Sequence, residues 1–331
     1  MKIIFIGSSA FGVPTLKALA GQSRHPLIGV ITQPDSKKGR GLKEVAVSPV
    51  KKEALKHKVE IWQPKSINDP AFIRQLDDKD PELIIVAAYG QKLGKEMLDL
   101  PPYGCLNIHP SLLPKYRGSA PVNYAILKGD AETGVSIIRM SEKMDAGFVI
   151  RQASVKIKDG ETAPELEARL AEESAAIIAG LLDGMERGGL EETPQDESEA
   201  TFAPKLKKTD GEIDWSRPAR EIINRIRAMQ PWPGAYTWLK PQGKAPVKVD
   251  ITQARLNSDE GGKSGRPART PPGGGPGRII EINNNGIIIS CGDEQKLSII
   301  GVKPAGGRAL TAREFANGYR LKTGDVLGKE T

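Results

Sequence analysis

The stretch CLNIHPSLLPKYRGSAPV, residues 105–122, decides the fold and locates the chemistry of this chain. Its first five residues alternate as a β-strand does, which predicts Asn107 and His109 on one side of a strand. A proline follows at once, and a helical pattern begins near residue 119. In open α/β sheets ligands bind beyond the carboxyl ends of the strands, so a functional site is expected here.

Short runs rich in Ile and Val lie on both sides of this stretch, and helical patterns separate them. This alternation predicts an α/β fold whose N-terminal domain is an open, mostly parallel, Rossmann-like sheet covered by helices. The predicted strands are 2–7, 27–32, 83–89, 105–109 and 133–140, and the predicted helices lie near 11–20, 49–57, 119–128 and 163–183.

The C-terminal part has a different pattern. Residues 188–208 lack apolar periodicity and indicate a linker, and short strand-like segments split by Gly and Pro follow it. These segments predict a smaller β-barrel of the OB-like type, with a Gly/Pro-rich insert at 257–277. We therefore expect an N-terminal domain at 1–188, a linker at 189–208 and a C-terminal domain at 209–331.

Length and composition exclude several classes of protein. The 331 residues are enough for two domains, each with its own core, and the 38% hydrophobic content is typical of globular chains. No run approaches the roughly 18 apolar residues of a membrane helix, so no membrane partner is expected. Cys105 and Cys291 lie far apart, as free thiols in a reducing compartment do. A cytoplasmic location is predicted.

The positive charge is concentrated in the C-terminal part. Residues 201–331 hold 22 Lys and Arg against 13 Asp and Glu, a net of +9, whereas the remainder of the chain has a net of −2. A basic domain attracts polyanions because its potential raises the encounter rate and binding releases counterions from phosphates. Charge alone supports a nucleic-acid partner and a solvated lysine-rich surface equally.

Two common kinds of site lack support in the sequence. The turn after the first strand has no G-x-G-x-x-G pattern and no G-K-[ST] phosphate loop. The missing glycine pattern argues against the alternative that the chain is an NAD-linked dehydrogenase. His25, His57 and His109 and the two cysteines do not lie at the spacing of metal ligands, so no metal is expected.

A carboxylate completes the candidate site. Asp145 follows a separate strand in the turn MDAG, where it could reach the same cleft and raise the pKa of the His109 imidazole. An asparagine amide and a histidine can together hold an oxyanion and transfer a proton. A single histidine at a strand end is more often structural, and it is the third group that favours catalysis.

Asn107-x-His109, SLLPKYRG at 111–118 and Asp145 together resemble the folate-dependent formyltransferase family. The resemblance implies that Asn107, His109 and Asp145 are the catalytic residues. Our hypothesis for the mechanism is that the Asn107 amide and a protonated His109 hold the oxyanion. The resemblance further implies that the co-substrate 10-formyltetrahydrofolate binds against four residues, which are Ser111, Leu112, Leu113 and Pro114.

Further segments resemble the tRNA-directed branch of this family. QPDSKKGRGLKEVAVSPVK at 33–51 is similar to a loop that enters the acceptor stem of tRNA, and residues 34–58 carry eight Lys and Arg against three acidic residues. The alternative is a solvated charged loop. FAPKLKKTDGEIDW at 202–215 and PWPGAYTW at 231–238 are similar to the linker and second domain of the same branch. The implied tRNA contacts are Arg40, Lys37, Lys38 and Lys43.

The resemblance implies an enzyme that transfers the formyl group of 10-formyltetrahydrofolate to the amino group of initiator methionyl-tRNA. We expect this enzyme to be a monomer. Pro110 departs from that branch and is more similar to the branch that acts on a nucleotide. One alternative is a folate-dependent formyltransferase or hydrolase acting on a small amine or sugar nucleotide. Another is a non-catalytic RNA-binding protein, which leaves the three polar residues unexplained.

Overall fold

A computed structural model describes residues 1–38, 44–188, 190–240, 245–257, 275–284 and 286–328, with the backbone alone at 37, 38 and 44. The chain divides into two compact units. The first comprises Met1–Pro121, Glu132–Lys156 and Glu165–Pro204, and the second comprises Val122–Ala131, Ile157–Pro164 and Lys205–Thr331. The domain boundaries at 188 and 208 stay predictions.

The first unit is built on a seven-stranded sheet. Its spatial order is β10-β9-β7-β6-β1-β2-β5. The five strands from β7 to β5 are parallel, whereas β9 is antiparallel to β7 and β10 is antiparallel to β9. The strands of the first unit are β1 Ile3–Gly7, β2 Leu27–Ile31, β3 Ser36–Lys38, β4 Glu44–Ala46, β5 Ile61–Trp62, β6 Leu83–Ala87, β7 Cys105–His109, β8 Arg117–Gly118, β9 Glu132–Arg139, β10 Val149–Lys156 and β11 Phe202–Ala203.

Two helices of the first unit begin at residues whose side chains cap them. The Ser48 hydroxyl accepts a hydrogen bond from the Lys51 backbone N–H, and Asp69 caps the next helix through the Ala71 N–H. Each of these two helices has a proline in its first turn, where no N–H is needed. The helices are α1 Val13–Ala20, α2 Pro49–Lys56, α3 Pro70–Asp77, α4 Lys95–Asp99, α5 Pro121–Lys128, α6 Ala163–Glu186, α7 Ala219–Ala228 and α8 Ala312–Tyr319.

The central strands are buried along their whole length. Every residue of β1 and of β6 is buried, which is why their sequences are continuous apolar runs instead of alternating ones. Trp62 from the edge strand and Met97 from α4 pack in the same core cluster as these strands. The rigid sheet fixes the positions at which its strands end.

The second unit contains an antiparallel barrel. Its sheet has the order β12-β13-β16-β15-β14, and β17 pairs with β16. Val326 bridges to Arg278 beside β14 and Leu327 bridges to Leu239 of β12, so the last described residues close the sheet. The strands are β12 Tyr236–Leu239, β13 Val247–Leu256, β14 Ile279–Asn283, β15 Gly286–Ser290, β16 Lys296–Pro304 and β17 Leu310–Thr311.

The predicted fold class is confirmed: a mostly parallel sheet with helices precedes a smaller antiparallel, barrel-like domain. Residues 278–290, whose apolar pattern predicts one strand-like segment, contain two antiparallel strands, β14 and β15. Strand β10 and helices α3, α4 and α8 were missed, because their short or mixed patterns are weak signals. In the part of the chain that the structure describes, we found no helix with the length and apolar character needed to cross a membrane.

Candidate active site

Strand β7 presents the two polar residues that the sequence singled out. Asn107 lies opposite Ile138 and His109 opposite Ser136 of β9, so both occupy the same face of the strand. Asn107 is half-buried, and His109 is 4% exposed. A polar ring that is buried this deeply needs hydrogen-bond partners.

The turn between β9 and β10 brings Asp145 to the same place. The Asn107 amide donates to Asp145 Oδ1 at 3.3 Å, and His109 Nδ1 lies 3.7 Å from that same oxygen. The other carboxylate oxygen accepts a hydrogen bond from the Gly118 backbone N–H at 2.8 Å. The three residues predicted to act together are therefore neighbours, although 38 residues separate Asn107 from Asp145 along the chain.

The backbone of this turn is unusual. Asp145 has a φ of +51°, in the left-handed region that residues other than glycine adopt uncommonly. A Cβ atom at Gly147 would lie 1.7 Å from the Arg139 carbonyl oxygen, so the residue there must be glycine. The turn MDAG is thus a constrained structure that directs one carboxylate.

The hydrogen bonds of His109 determine its tautomer. Nε2 lies 2.9 Å from the carbonyl oxygen of Tyr116, which can only accept, so Nε2 carries a proton. In the neutral ring Nδ1 then holds the lone pair and faces Asp145. Burial lowers the pKa of His109, and this effect outweighs the opposing effects of the Asp145 charge and the bond to Tyr116.

The sequence had led us to expect a raised pKa at His109, and the structure gives the opposite direction. The proximity of Asp145 was predicted, but the nearly complete burial of the ring was not. A lowered pKa means a neutral imidazole at pH 7, because its ordinary value is already 6.5. The resting ring is therefore a proton acceptor at Nδ1 and not a cation.

The segment after β7 is held by hydrogen bonds to its own backbone and to β9. Ser111 donates to the Lys115 carbonyl, and the Ser136 hydroxyl donates to the Ser111 carbonyl and accepts from the Leu113 N–H. Ser111 and Leu113 are buried, whereas Leu112 and Pro114 are half-buried. Their predicted contact with the folate stays a prediction.

Residues 193–203, which we call the return segment, contact the candidate site directly. Its strand β11 pairs with β8. The Thr201 hydroxyl accepts a hydrogen bond from the N–H of Tyr116, the residue whose carbonyl binds His109. This segment lies within the predicted linker, and no motif in its sequence indicated such contacts, because they join residues about 80 positions apart.

The structure describes two of the four predicted tRNA contacts, and only by their backbone. Lys37 and Lys38 lie in β3, which pairs with β4 as a small hairpin. Arg40 and Lys43 lie outside the described residues. Beside this hairpin, Lys51 Nζ binds both Asp35 and Gln63 at 2.6 Å. The contact of the loop with tRNA stays a prediction.

One group of metal-ligand types lies away from the candidate site. Ligand atoms of His25, Asp183 and Glu186 lie within 4.8 Å of one another. Arg24 forms ion pairs with both carboxylates, so the positive charge of its guanidinium group already compensates part of their negative charge. Cys105 and Cys291 are buried free thiols, and burial raises the pKa of each to about 12. The absence of a metal stays a prediction.

The arrangement combines three chemical capacities in one place. The Asn107 amide has a second hydrogen beyond the one given to Asp145, and this hydrogen can stabilise a developing negative oxygen. The neutral imidazole can accept a proton at Nδ1. The adjacent carboxylate stabilises the imidazolium that then forms.

Comparison with known families identifies the chain. Residues 1–181 match the model of the family described as formyl transferase, and residues 205–320 match the formyl transferase C-terminal domain. The chain belongs to the formyl transferase family. This formyltransferase thus has both domains of the family, and it is an enzyme that transfers formyl groups.

The formyltransferase has relatives that match it over their whole length. It is 38% identical over 329 residues to the methionyl-tRNA formyltransferase of Acetivibrio thermocellus, covering 99% of this chain and 100% of the relative. It is 36% identical over 327 residues to the methionyl-tRNA formyltransferase of Bacillus subtilis, covering 99% and 98%.

Solved structures share the fold at lower identity. HypX from Aquifex aeolicus, in complex with tetrahydrofolic acid, superposes with a TM-score of 0.60 at 17% identity; the match covers 100% of this chain and 51% of HypX, so the formyltransferase spans about half of that longer protein. An N-formyltransferase from Helicobacter canadensis, in complex with folinic acid and dTDP-3-aminofucose, has a TM-score of 0.62 at 16% identity, covering 90% and 98%.

Proposed function

We propose that this enzyme transfers the formyl group of 10-formyltetrahydrofolate to the free amino group of initiator methionyl-tRNA. The observation that carries the proposal is similarity to methionyl-tRNA formyltransferases at 36–40% identity over 99% of this chain. The product, N-formylmethionyl-tRNA, is used in translation initiation. The N-formyltransferase from Helicobacter canadensis, whose structure contains an amino sugar nucleotide, is only 16% identical to this chain.

The chemistry begins with attack by the neutral amine on the formyl carbon. A C–N bond forms and the carbonyl electron pair moves to oxygen, which becomes negative. We assign the second Asn107 amide hydrogen to this oxyanion, because its first hydrogen is held by Asp145. Removing one such donor typically costs on the order of 100- to 1000-fold in rate.

The attacking nitrogen must then lose a proton. We assign the acceptor to Nδ1 of His109, which carries the lone pair because Nε2 donates to Tyr116. The imidazolium so formed lies between the Tyr116 carbonyl and the Asp145 carboxylate, and both stabilise it. Collapse of the intermediate breaks the bond between the formyl carbon and the folate nitrogen, which takes up the proton. His109 returns to its neutral form.

We assign substrate binding to other parts of the chain. Residues 111–114 bind the folate, and the basic loop with Lys37, Lys38, Arg40 and Lys43 binds tRNA. The C-terminal domain at 209–331 provides the further tRNA surface, consistent with its 19 Lys and Arg against 13 Asp and Glu, a net charge of +6. We expect the enzyme to act as a monomer in the cytoplasm.

The test is a comparison of acceptors. The purified enzyme is incubated with 10-formyltetrahydrofolate and methionyl-tRNA, glycinamide ribonucleotide, an amino sugar nucleotide or no acceptor. We expect N-formylmethionyl-tRNA as the dominant product. Faster formylation of either small acceptor, or release of formate at the same rate without any acceptor, would reject the proposal in favour of the corresponding alternative. Binding of tRNA without any formylated product would favour the RNA-binding alternative.

A further inference from the structure

Gln195, in the return segment, contacts the turn that carries Asp145. Its side-chain amide nitrogen lies 2.8 Å from the Asp145 carbonyl oxygen and 2.7 Å from the Gly147 carbonyl oxygen. Its side-chain oxygen lies 3.0 Å from Arg117 Nε and 2.8 Å from Arg117 Nη2. One glutamine thus joins two segments of the candidate site.

The orientation of this amide is fixed by its partners. A guanidinium group can only donate, so the Gln195 oxygen must face Arg117, and the nitrogen must face the two carbonyl groups. The two hydrogens of the nitrogen are then both used, one for each carbonyl. The bidentate contact with Arg117 adds geometric restraint to the oxygen. Gln195 therefore has little freedom to rotate or shift.

The turn needs restraint, because its backbone is strained. The left-handed φ of Asp145 costs free energy and persists only where the surroundings hold it. The Gln195 amide donates hydrogen bonds to the carbonyl oxygen of Asp145 itself and to that of Gly147, two residues later. The Gly118 N–H binds one carboxylate oxygen, which leaves the other directed at Asn107 and His109.

Arg117 is anchored on its other side. Its side chain is 2% exposed and forms an ion pair with Glu197, which also binds Lys143 at 2.8 Å. The hydrogen bond from Arg117 is the main reason that the pKa of Glu197 is lowered to about 2. Glu197 is therefore ionised at neutral pH, where its ion pair with Arg117 anchors the guanidinium group.

We propose that Gln195 is a positioning residue: together with Arg117 it holds the Asp145 turn so that the carboxylate faces His109 and Asn107. The segment predicted as a linker is thus part of the support of the active site. The consequence for catalysis rests on the proposed function, but the geometric claim does not. The two can be tested separately.

The experiment replaces Gln195 by methionine, which has a similar volume but cannot bind the carbonyl groups. Asp145→Asn serves as the reference for loss of the carboxylate charge, and Gln75→Ala, an exposed glutamine on α3, serves as the control. The first readout is the pH titration of the His109 ring by NMR, assigned by comparison with His109→Gln. Only three histidines are present, so the assignment is direct. The second readout is kcat and KM for formyl transfer.

We expect Gln195→Met to lower the titration midpoint of His109 in the same direction as Asp145→Asn. We also expect a fall of about 10- to 100-fold in kcat, the size that misplacement of a reacting group by about 1 Å produces, with little change in KM for 10-formyltetrahydrofolate. Gln75→Ala should match the wild type in both readouts.

An unchanged His109 titration in Gln195→Met would overturn the proposal, even if kcat fell, because Gln195 would then act on something other than Asp145. A shifted titration with wild-type kcat would support the positioning role and count against the catalytic role of Asp145. If Gln195→Met is too unstable to titrate, Gln195→Asn is titrated instead, because it keeps the amide oxygen and nitrogen on a side chain that is one methylene shorter. A lowered midpoint for His109 would again support the proposal, and an unchanged midpoint would overturn it.

Discussion

His109 Nε2 donates a hydrogen bond to the Tyr116 carbonyl oxygen at 2.9 Å, seven residues further along the chain. The bond fixes both the ring orientation and the tautomer, and it leaves Nδ1 facing Asp145 Oδ1 at 3.7 Å. Tyr116 itself has a left-handed φ of +63°, and its N–H is bound by Thr201. The loop conformation after β7 therefore determines which nitrogen accepts a proton.

The burial of His109 predicts how stability depends on pH. The folded-state pKa lies below the ordinary value of 6.5, so the unfolded chain binds more protons as the pH falls past that value. The contribution of His109 to stability is therefore complete above about pH 6.5 and is lost on acidification. We expect the free energy of unfolding to fall more between pH 7 and pH 5 in the wild type than in His109→Gln, as measured by urea denaturation. Parallel curves for the two proteins would contradict a lowered pKa.

Replacement of Asn107 should affect the chemical step and not binding. Asn107→Ala removes the donor to the oxyanion, so we expect kcat to fall by about 100- to 1000-fold with KM for both substrates nearly unchanged. Asn107→Asp is the stricter variant, because it places a negative charge against the oxyanion and against Asp145. It should be at least as inactive as the alanine variant. Steady-state kinetics with methionyl-tRNA provides the measurement, and a rise in KM alone would mean that Asn107 only binds substrate.

Gly147→Ala should displace the catalytic turn. Its Cβ would meet the Arg139 carbonyl oxygen at 1.7 Å, so the backbone must shift, and Asp145 lies two residues away. We expect a lower melting temperature together with a lower kcat. Gly180→Ala on α6 is the matched control, since its Cβ would meet no atom within 4 Å and alanine favours a helix by roughly 0.5–1 kcal/mol. Wild-type activity in Gly147→Ala would show that the position of the turn is not critical.

The basic loop should contribute to the use of tRNA and not of folate. Arg40→Ala removes a predicted phosphate contact, so we expect a higher KM for methionyl-tRNA and a salt dependence reduced by about one unit of the log–log slope. KM for 10-formyltetrahydrofolate should stay the same. The measurement is kinetics at several salt concentrations, and equal losses on the two substrates would argue against the loop's role.

The sequence predicted the elements that place the site. Asn107 and His109 alternate on an apolar strand, and that period alone assigns them to one face. The sequence also predicted that Asp145 follows a separate strand and could reach the same cleft. Each of these inferences uses residues close together in the chain, where local patterns carry the information.

The electrostatic state of the site and its support were not predictable in this way. The lowered pKa of His109 depends on burial by several elements, which no local pattern reports. The contacts of Gln195 and Thr201 join the return segment to residues 48 to 85 positions earlier. The polar, aperiodic sequence of that segment is typical of a linker. Only the folded chain shows that it contacts the candidate site.

The convergence of Asn107, His109 and Asp145 is tested most directly by formyl transfer from labelled 10-formyltetrahydrofolate to methionyl-tRNA, measured in single turnovers. His109→Ala and Asp145→Ala should abolish the transfer while both variants bind tRNA with nearly wild-type affinity. If either variant formylated methionyl-tRNA at the wild-type rate, the proposed chemistry would be wrong.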